Sequence, residues 1–449
     1  MATYYVLSGG AGSQNGTSWA NAWPNVTSVT GLSGGGNIIE IGGGSYSVAN
    51  WQPAGGTAGN PNIYRVAQDG THSSMVTFNA SDTQFLNGSL SNVTIDGRYN
   101  GSALMTMSGY EYVVYDPGGG SSMQNMKFLG WNFSDLIYCY GYGIEIGWCI
   151  GDAPLSGLDD SFIAHIGDDD AASGFGINSI HDCIFTVPRK KTAGEGWDCI
   201  KWGQNIDFYN NVVRAVYNAS YTGNQHNDAI QASGNYWRVY NNYFENFLSY
   251  AFLNEISGST DATGYRLYNN VFYYSNESGV DWTAQATWAF GGNGATTSSA
   301  SLTDVIEANN TTISHAANTR GGFFCHLYPA INPPCGADCF FDNDCSNAFT
   351  PVTQAGSGTI TNAINNATVA EVVSDALYPT GDLHPTSAAT SIIGQGIDPA
   401  PARLTNVFTT DKDGTARVNP WDVGAYAFGS STSTMTFSGT LTLTTLTVG

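Results

Sequence analysis

Two ten-residue segments hold the residues best suited to chemistry: GEGWDCIKWG (194–203) and QHNDAIQASG (225–234). Asp198 and Asp228 take nearly the same place in each, 30 residues apart. If one structural repeat separates them, their backbones stand one β rung, about 4.8 Å, apart. From such a spacing two carboxylates can flank a glycosidic bond, one as acid and the other as base or nucleophile. His226 and Glu195 lie close by and are placed to assist proton transfer. The same segments contain Trp197, Lys201 and Trp202, with Tyr236 and Trp237 just beyond. These rings and the Lys201 ammonium make a candidate glycan-binding surface. Each candidate has a plainer alternative, an Asp that caps a turn or an aromatic that packs a core.

Lyase chemistry needs a basic residue and a neutralised uronate instead. Arg189, Lys190 and Lys191 form the one basic cluster, and they either grip an acidic sugar or face solvent. Asp159, Asp160, Asp168, Asp169 and Asp170 crowd one insertion. Calcium needs about six oxygens, and without EF-hand-like spacing this segment reads as a solvated acidic loop. No metal and no cofactor is expected. Of the eight cysteines, Cys325, Cys335, Cys339 and Cys345 fall within 21 residues. A disulfide or two there is favoured over buried thiols or a zinc site, whose C-x-x-C spacing is missing.

The element that must position these residues is a repeat. Residues 206–213 read IDFYNNVV, 237–244 WRVYNNYF, 265–272 YRLYNNVF, 305–312 VIEANNTT and 338–345 DCFFDNDC. Upstream, GIEIGWCI (143–150) and INSIHDCI (177–184) keep the frame without the Asn pair. Irregular spacing of 28 to 40 residues suits a β-solenoid with fixed strands and variable loops. Two short strands meet at a tight bend, where Asn tolerates the left-handed backbone. The frame predicts Asn210, Asn241 and Asn269 in one column, and Tyr209, Tyr240 and Tyr268 in another. It also predicts one interior stack of Ile150, Ile184, Val213, Phe244, Phe272, Thr312 and Cys345, with Cys149 and Cys183 adjacent. Glu307 falls where Phe208, Val239 and Leu267 are apolar, which predicts a bulge or a register shift. Helical signal is confined to short caps over 25–32 and 367–378.

The opening, YYVLSGGAGSQNGTSWANAW (4–23), NIIEIGGGSYS (37–47) and SNVTIDG (91–97), resembles that of pectate-lyase-like right-handed β-helices. WDVGAYAFG (421–429), after DKDGTARVNP (411–420), resembles the way such chains close. The resemblance spans about residues 4–429 and implies an all-β, single-stranded right-handed parallel β-helix. That fold hosts lyases, hydrolases, epimerases, phage tailspikes and inert scaffolds. An acidic, Gly-rich chain of this type resembles most a bacteriophage virion surface protein: a tailspike, fibre or capsid decoration, with possible glycan recognition. W-D-C-I and N-D-A-I are also similar to the Asp-bearing strands of polygalacturonases, which implies catalytic roles for Asp198 and Asp228. The further His-Gly and Arg-x-Lys signatures of that family are not found downstream. The alternative to the virion reading is therefore a polysaccharide-degrading enzyme, hydrolase or lyase, on a virion or secreted.

Composition narrows the partners. With 14 basic against 36 acidic residues the net charge is −22, which excludes a nucleic-acid partner. A polyanionic glycan would need calcium or a local basic patch. No run of 18 apolar residues exists, so no membrane insertion is expected. The start lacks a basic region followed by an apolar one, so no secretion signal is expected. Residues 1–36 are assigned as an N-terminal cap, 37–429 as the β-helix and 430–449 as a β tail. In the tail Met435, Phe437, Leu441 and Leu443 alternate with Thr or Ser. That period suits a half-buried strand pairing with another virion subunit or another copy of the chain.

Overall fold

A computed structural model of the chain describes residues 2–116, 123–134, 136–153, 164–166, 177–191, 196–201, 203–221, 227–232, 234–254, 262–275, 277, 280, 286–290, 302–315, 323–327, 340–342, 344–346, 363–364, 367–368, 372–374, 381–396 and 409–429. Within them the chain winds as a parallel β-helix. Three long parallel sheets of 14, 12 and 9 strands form its walls, and successive coils add one strand to each. Thr3–Val6 already pairs in parallel with Ile38–Ile41, so the first sheet begins at the start of the described chain. Among the described residues there is no α-helix. The helix expected over 25–32 is a single 3-10 turn, Val26–Ser28, with another at Trp19–Asn21 before it, while Ala367–Thr368 and Val372–Ser374 are strands.

The bend between the first and second sheets explains the Asn pairs. Asn210, Asn241, Asn269 and Asn309 have φ of 56°, 58°, 56° and 56°, and Trp148 and Asp182 take the same left-handed bend upstream. Asn accepts this conformation at little cost. The second Asn of each pair points inward. The Asn242 Oδ1 accepts the Asn211 N–H (2.9 Å) and amide (3.1 Å), while its own amide donates to Phe208 O (2.9 Å) and Asn270 Oδ1 (3.0 Å). The pattern repeats through Asn270 and Asn310, and in the next coil Asp344 takes the same place, accepting from the Asn310 N–H and amide. Cys149 and Cys183 occupy the same column, where the Cys149 N–H meets Cys183 Sγ at 3.4 Å. They stand in the place of the second Asn, so the true upstream frame starts one residue later than the sequence alignment has it.

That one-residue offset corrects the predicted interior stack. Phe185, Val213, Phe244, Phe272 and Thr312 are in register inside the solenoid. Ile184 instead pairs with Val212, and Cys345 with Thr311. Phe244 and Phe272 stack at 5.2 Å and 4°. Glu307 is also corrected. It pairs in unbroken register with Leu267 below and Phe341 above, with no bulge, and is fully buried in the core. Burial, reinforced by Asp344, pushes its carboxyl well above the usual range. The predicted cysteine cluster loses a member, because Cys345 is a free buried thiol 3.2 Å from Thr311 Oγ1. Cys335 and Cys339 lie outside the described residues, as does the Cys325 side chain.

On the outer face of the first sheet His181, Tyr209, Tyr240 and Tyr268 stack ring on ring, each pair 4.9 Å apart and within 9° of parallel. Register dictates this, since each sits directly above its neighbour. Residues 409–429 fold back across the last coils. Arg417 Nη2 donates to Asn269 Oδ1 at 2.9 Å, Ala425 N–H donates to Thr311 Oγ1 at 2.9 Å, and Trp421 covers Tyr268. Gly424 is required there, because its φ is 96° and a Cβ would lie 2.6 Å from Cys345 Sγ. The tail, 430–449, lies outside the described residues. Among the described residues no helix is long and apolar enough to cross a membrane.

Candidate functional site

Asp198 and Asp228 are stacked at one corner of adjacent coils, but they do not line an open groove. Both are essentially fully buried. The Asp228 N–H donates to Asp198 Oδ1 at 3.0 Å, and the Tyr250 N–H donates to Asp228 Oδ1 at 3.0 Å. Each carboxyl thus ties its coil to the next, as the ladder Asn residues do at the other bend. The ring assignments change for the same reason. Trp197 and Trp237 have no exposed surface, and Trp237 Nε1 donates to Gly203 O at 3.1 Å, so both are core residues that offer no face to a sugar. Tyr236 takes a left-handed bend with φ of 61°. Its ring lies over Gly264, where a Cβ would come within 2.6 Å. Lys201 projects outward beside Gln231 on the third sheet, yet is 6% exposed. Trp202, His226 and Glu195 lie outside the described residues, as do Asp159, Asp160, Asp168, Asp169 and Asp170. Among the described residues no group of three or more His, Cys, Asp or Glu is arranged to hold a metal.

A different constellation occupies the outer face of the second sheet. Strands Ile184–Arg189, Val212–Tyr217 and Tyr243–Glu245 are neighbours, which puts Thr186, Arg214 and Glu245 in one outward column and Arg189 beside Tyr217. Arg189 is buried. Its Nε donates to Ala215 O at 3.2 Å and its Nη1 to Lys190 O at 3.2 Å, while its Nη2 pairs with Glu277, just past strand Val271–Tyr274. Arg214 Nε stands 3.8 Å from Glu245 Oε2. Burial pushes the Glu245 carboxyl up to about 7, against the opposing pull of Arg214 and Arg189. Desolvation likewise lowers the pKa of Arg189, while Glu277 and Glu245 raise it. At the rim Val216 and Tyr217 are 37% and 40% exposed, and the Lys191 ammonium sits 4.7 Å above the Tyr217 ring.

The basic run 189–191 is therefore split: Arg189 is an internal ion-pair partner, and Lys191 flanks an exposed ring. Sequence reasoning missed Glu245 and Glu277, which lie far from that run in the chain. The available signal was that Glu245 follows the repeat frame 237–244 directly, so a strand continuing past Phe244 points it outward.

No protein-family model matches the chain, and no curated protein does. Among solved structures it is similar to pectate lyase Pel9A, at 14% identity and a TM-score of 0.41, over 95% of this chain and 96% of that one. A rhamnogalacturonan lyase is similar at 14% identity and a TM-score of 0.36, over 86% of this chain and 95% of that one. XylC, in complex with xylose, is similar at 9% identity and a TM-score of 0.43, over 95% and 98% of the two chains.

Proposed function

We propose that this protein acts on polysaccharide, and that the outer wall of its second sheet is where an acidic glycan binds. The observation that carries this reading is the Val216–Tyr217 rim with Lys191 over the ring, set beside the Arg214–Glu245 pair. A sugar ring presents a C–H face that packs on an exposed aromatic, and a uronate carboxylate finds a cation within reach. A chain of net charge −22 needs such a local cation to hold a polyanion at all. This reading takes the polysaccharide-acting alternative over the virion surface role. A virion or secreted location is compatible with it.

The test is binding of polygalacturonate and alginate against neutral xylan, by affinity electrophoresis at low and high salt. We expect the acidic glycans to be retarded, with the effect weakening as salt rises. Tyr217→Ala and Lys191→Ala should each weaken binding by about tenfold, the loss of roughly 1.4 kcal/mol. Equal retardation by xylan, or no change in either variant, would overturn the assignment.

A further inference from the structure

We propose that Glu307 is a pH-sensitive lock: with its carboxyl protonated, strand Leu302–Ala308 seats residues 409–429, and ionisation of that carboxyl unseats them.

The two faces of this strand carry the two halves of the device. Inward, Glu307 has no exposed surface, and neither carboxyl oxygen has a hydrogen-bond partner among the described residues. Its register neighbours are Leu267 below and Phe341 above, so it stands in an apolar column. A carboxylate there would lose its hydration with no hydrogen bond in return, and the neutral acid is the form such a core accepts. Outward, Ile306 and Ala308 flank Glu307 in the chain and are buried in one cluster with Trp421. The bend that follows grips the same segment. Asn309 Nδ2 donates to Asp422 O at 3.1 Å, and the Ala425 N–H donates to Thr311 Oγ1 at 2.9 Å. One strand therefore joins the protonation state of the core to the seat of Trp421. Each coil of a solenoid rests on its neighbours, so a charge at Glu307 opens its own coil and leaves distant coils closed.

The titratable groups around this strand are few. In the next coil Asp344 adds its charge to the effect of burial in holding the proton on Glu307. On the third wall the residue in register above Trp288 is Cys325, whose side chain lies outside the described residues. On the second wall the inward residue is Thr312, which carries no charge. The seated segment brings Asp411, Asp413, Asp422, Arg417 and Lys412, the last buried and lowered by that burial to about 8. His384 beside it has Nδ1 2.6 Å from Asp382 and Nε2 2.9 Å from Asp413. Lys412 and His384 also lose protons as pH rises, so variants at both serve as controls.

The sign follows from where the proton is held more tightly. Glu307 keeps its proton better in the folded coil than in the open one, so its share of stability is complete below its ordinary value near 4.5. That share is lost as pH rises above this value. The opening equilibrium of the coil grows about tenfold per pH unit until the folded carboxyl itself ionises.

The experiment is hydrogen exchange read by peptide mass spectrometry, from about pH 4.5 to 8. The rate in the natural chain is divided at each pH by the rate in Glu307→Gln, so that the intrinsic pH dependence of exchange cancels. Glu307→Leu, which continues the apolar column of Leu267, gives the same comparison should the Gln variant misfold. We expect the ratio for peptides within 302–314 and 421–425 to climb about tenfold per pH unit. It should stay flat for strands Ile38–Ile41 and Asn62–Val66. Lys412→Met and His384→Gln should keep the climb. A flat ratio in 302–314 would show that Glu307 is no lock. A climb in 302–314 without one in 421–425 would show that the strand opens without unseating the segment. A climb abolished by Lys412→Met or His384→Gln would move the trigger into the segment and overturn the assignment.

Discussion

At the residue scale, the fold imposes charge states that the residue types alone do not reveal. His181 is buried between two acids, with Nδ1 2.8 Å from Asp182 and Nε2 3.3 Å from Glu145. Burial alone would lower its pKa, but the two hydrogen bonds carry it up to about 9. Glu145 moves the other way, to about 2, through His181 and Lys127 against the cost of burial. A raised histidine stabilises the fold fully below its unfolded value near 6.5, and that share is lost as pH climbs through 9. A lowered glutamate contributes fully above about 4.5, and its share is lost as pH falls towards 2. Urea midpoints should therefore decline from about pH 6.5 to 9 in the natural chain. His181→Gln should flatten that decline, and an unchanged slope would mean the ion pairs are too solvated to matter.

At the element scale, the Asn ladder dominates. Asn242 makes four hydrogen bonds that no water can replace in a dry bend, so Asn242→Ala strands donors and acceptors on both adjoining coils. The expected cost is about 2–4 kcal/mol, read from denaturant unfolding. Asp344 offers the converse test. In each earlier rung the inward amide donates to a carbonyl of the coil below: Ile180, Phe208, Val239 and Leu267 in turn. The equivalent acceptor for position 344 is the carbonyl of Glu307, and an Asp side chain carries no amide N–H to donate to it. Asp344→Asn should raise stability at neutral pH by about 1 kcal/mol. A neutral or destabilising result would show that this rung is held differently.

At the scale of the whole molecule, a solenoid is stabilised by nearest-neighbour stacking and must protect its end coils. Residues 409–429 do this laterally, by hydrogen bonds to Asn269, Asn309 and Thr311. The tail beyond them alternates apolar and Thr or Ser residues, and a single strand has no partner for its backbone groups. We propose that pairing with a second copy of the chain would supply one. Deleting 430–449 should leave the β-sheet circular dichroism intact and shift the protein to monomer by light scattering. A full-length chain already monomeric at micromolar concentration would rule out self-association through the tail.

The sequence by itself determined the solenoid, the Asn columns and the left-handed bends, because each follows from a local backbone demand repeated at every coil. It also placed Asp198 and Asp228 in one column, since a repeat of 30 residues returns the chain to the same corner. What it could not decide is which way a residue faces. Strand side chains alternate with a period of two, so the one-residue misalignment at 143–150 and 177–184 was enough to exchange Ile184 for Phe185 in the core. Trp197 and Asp198 are adjacent and lie just before strand Ile200–Lys201, at a corner where no alternation can be read, and both are buried there. Only the tertiary structure gathered Arg189, Arg214, Glu245 and Glu277 on one wall. That gathering comes from the stacking of separate coils and from the contact of Arg189 with Glu277, far along the chain, which no local pattern encodes.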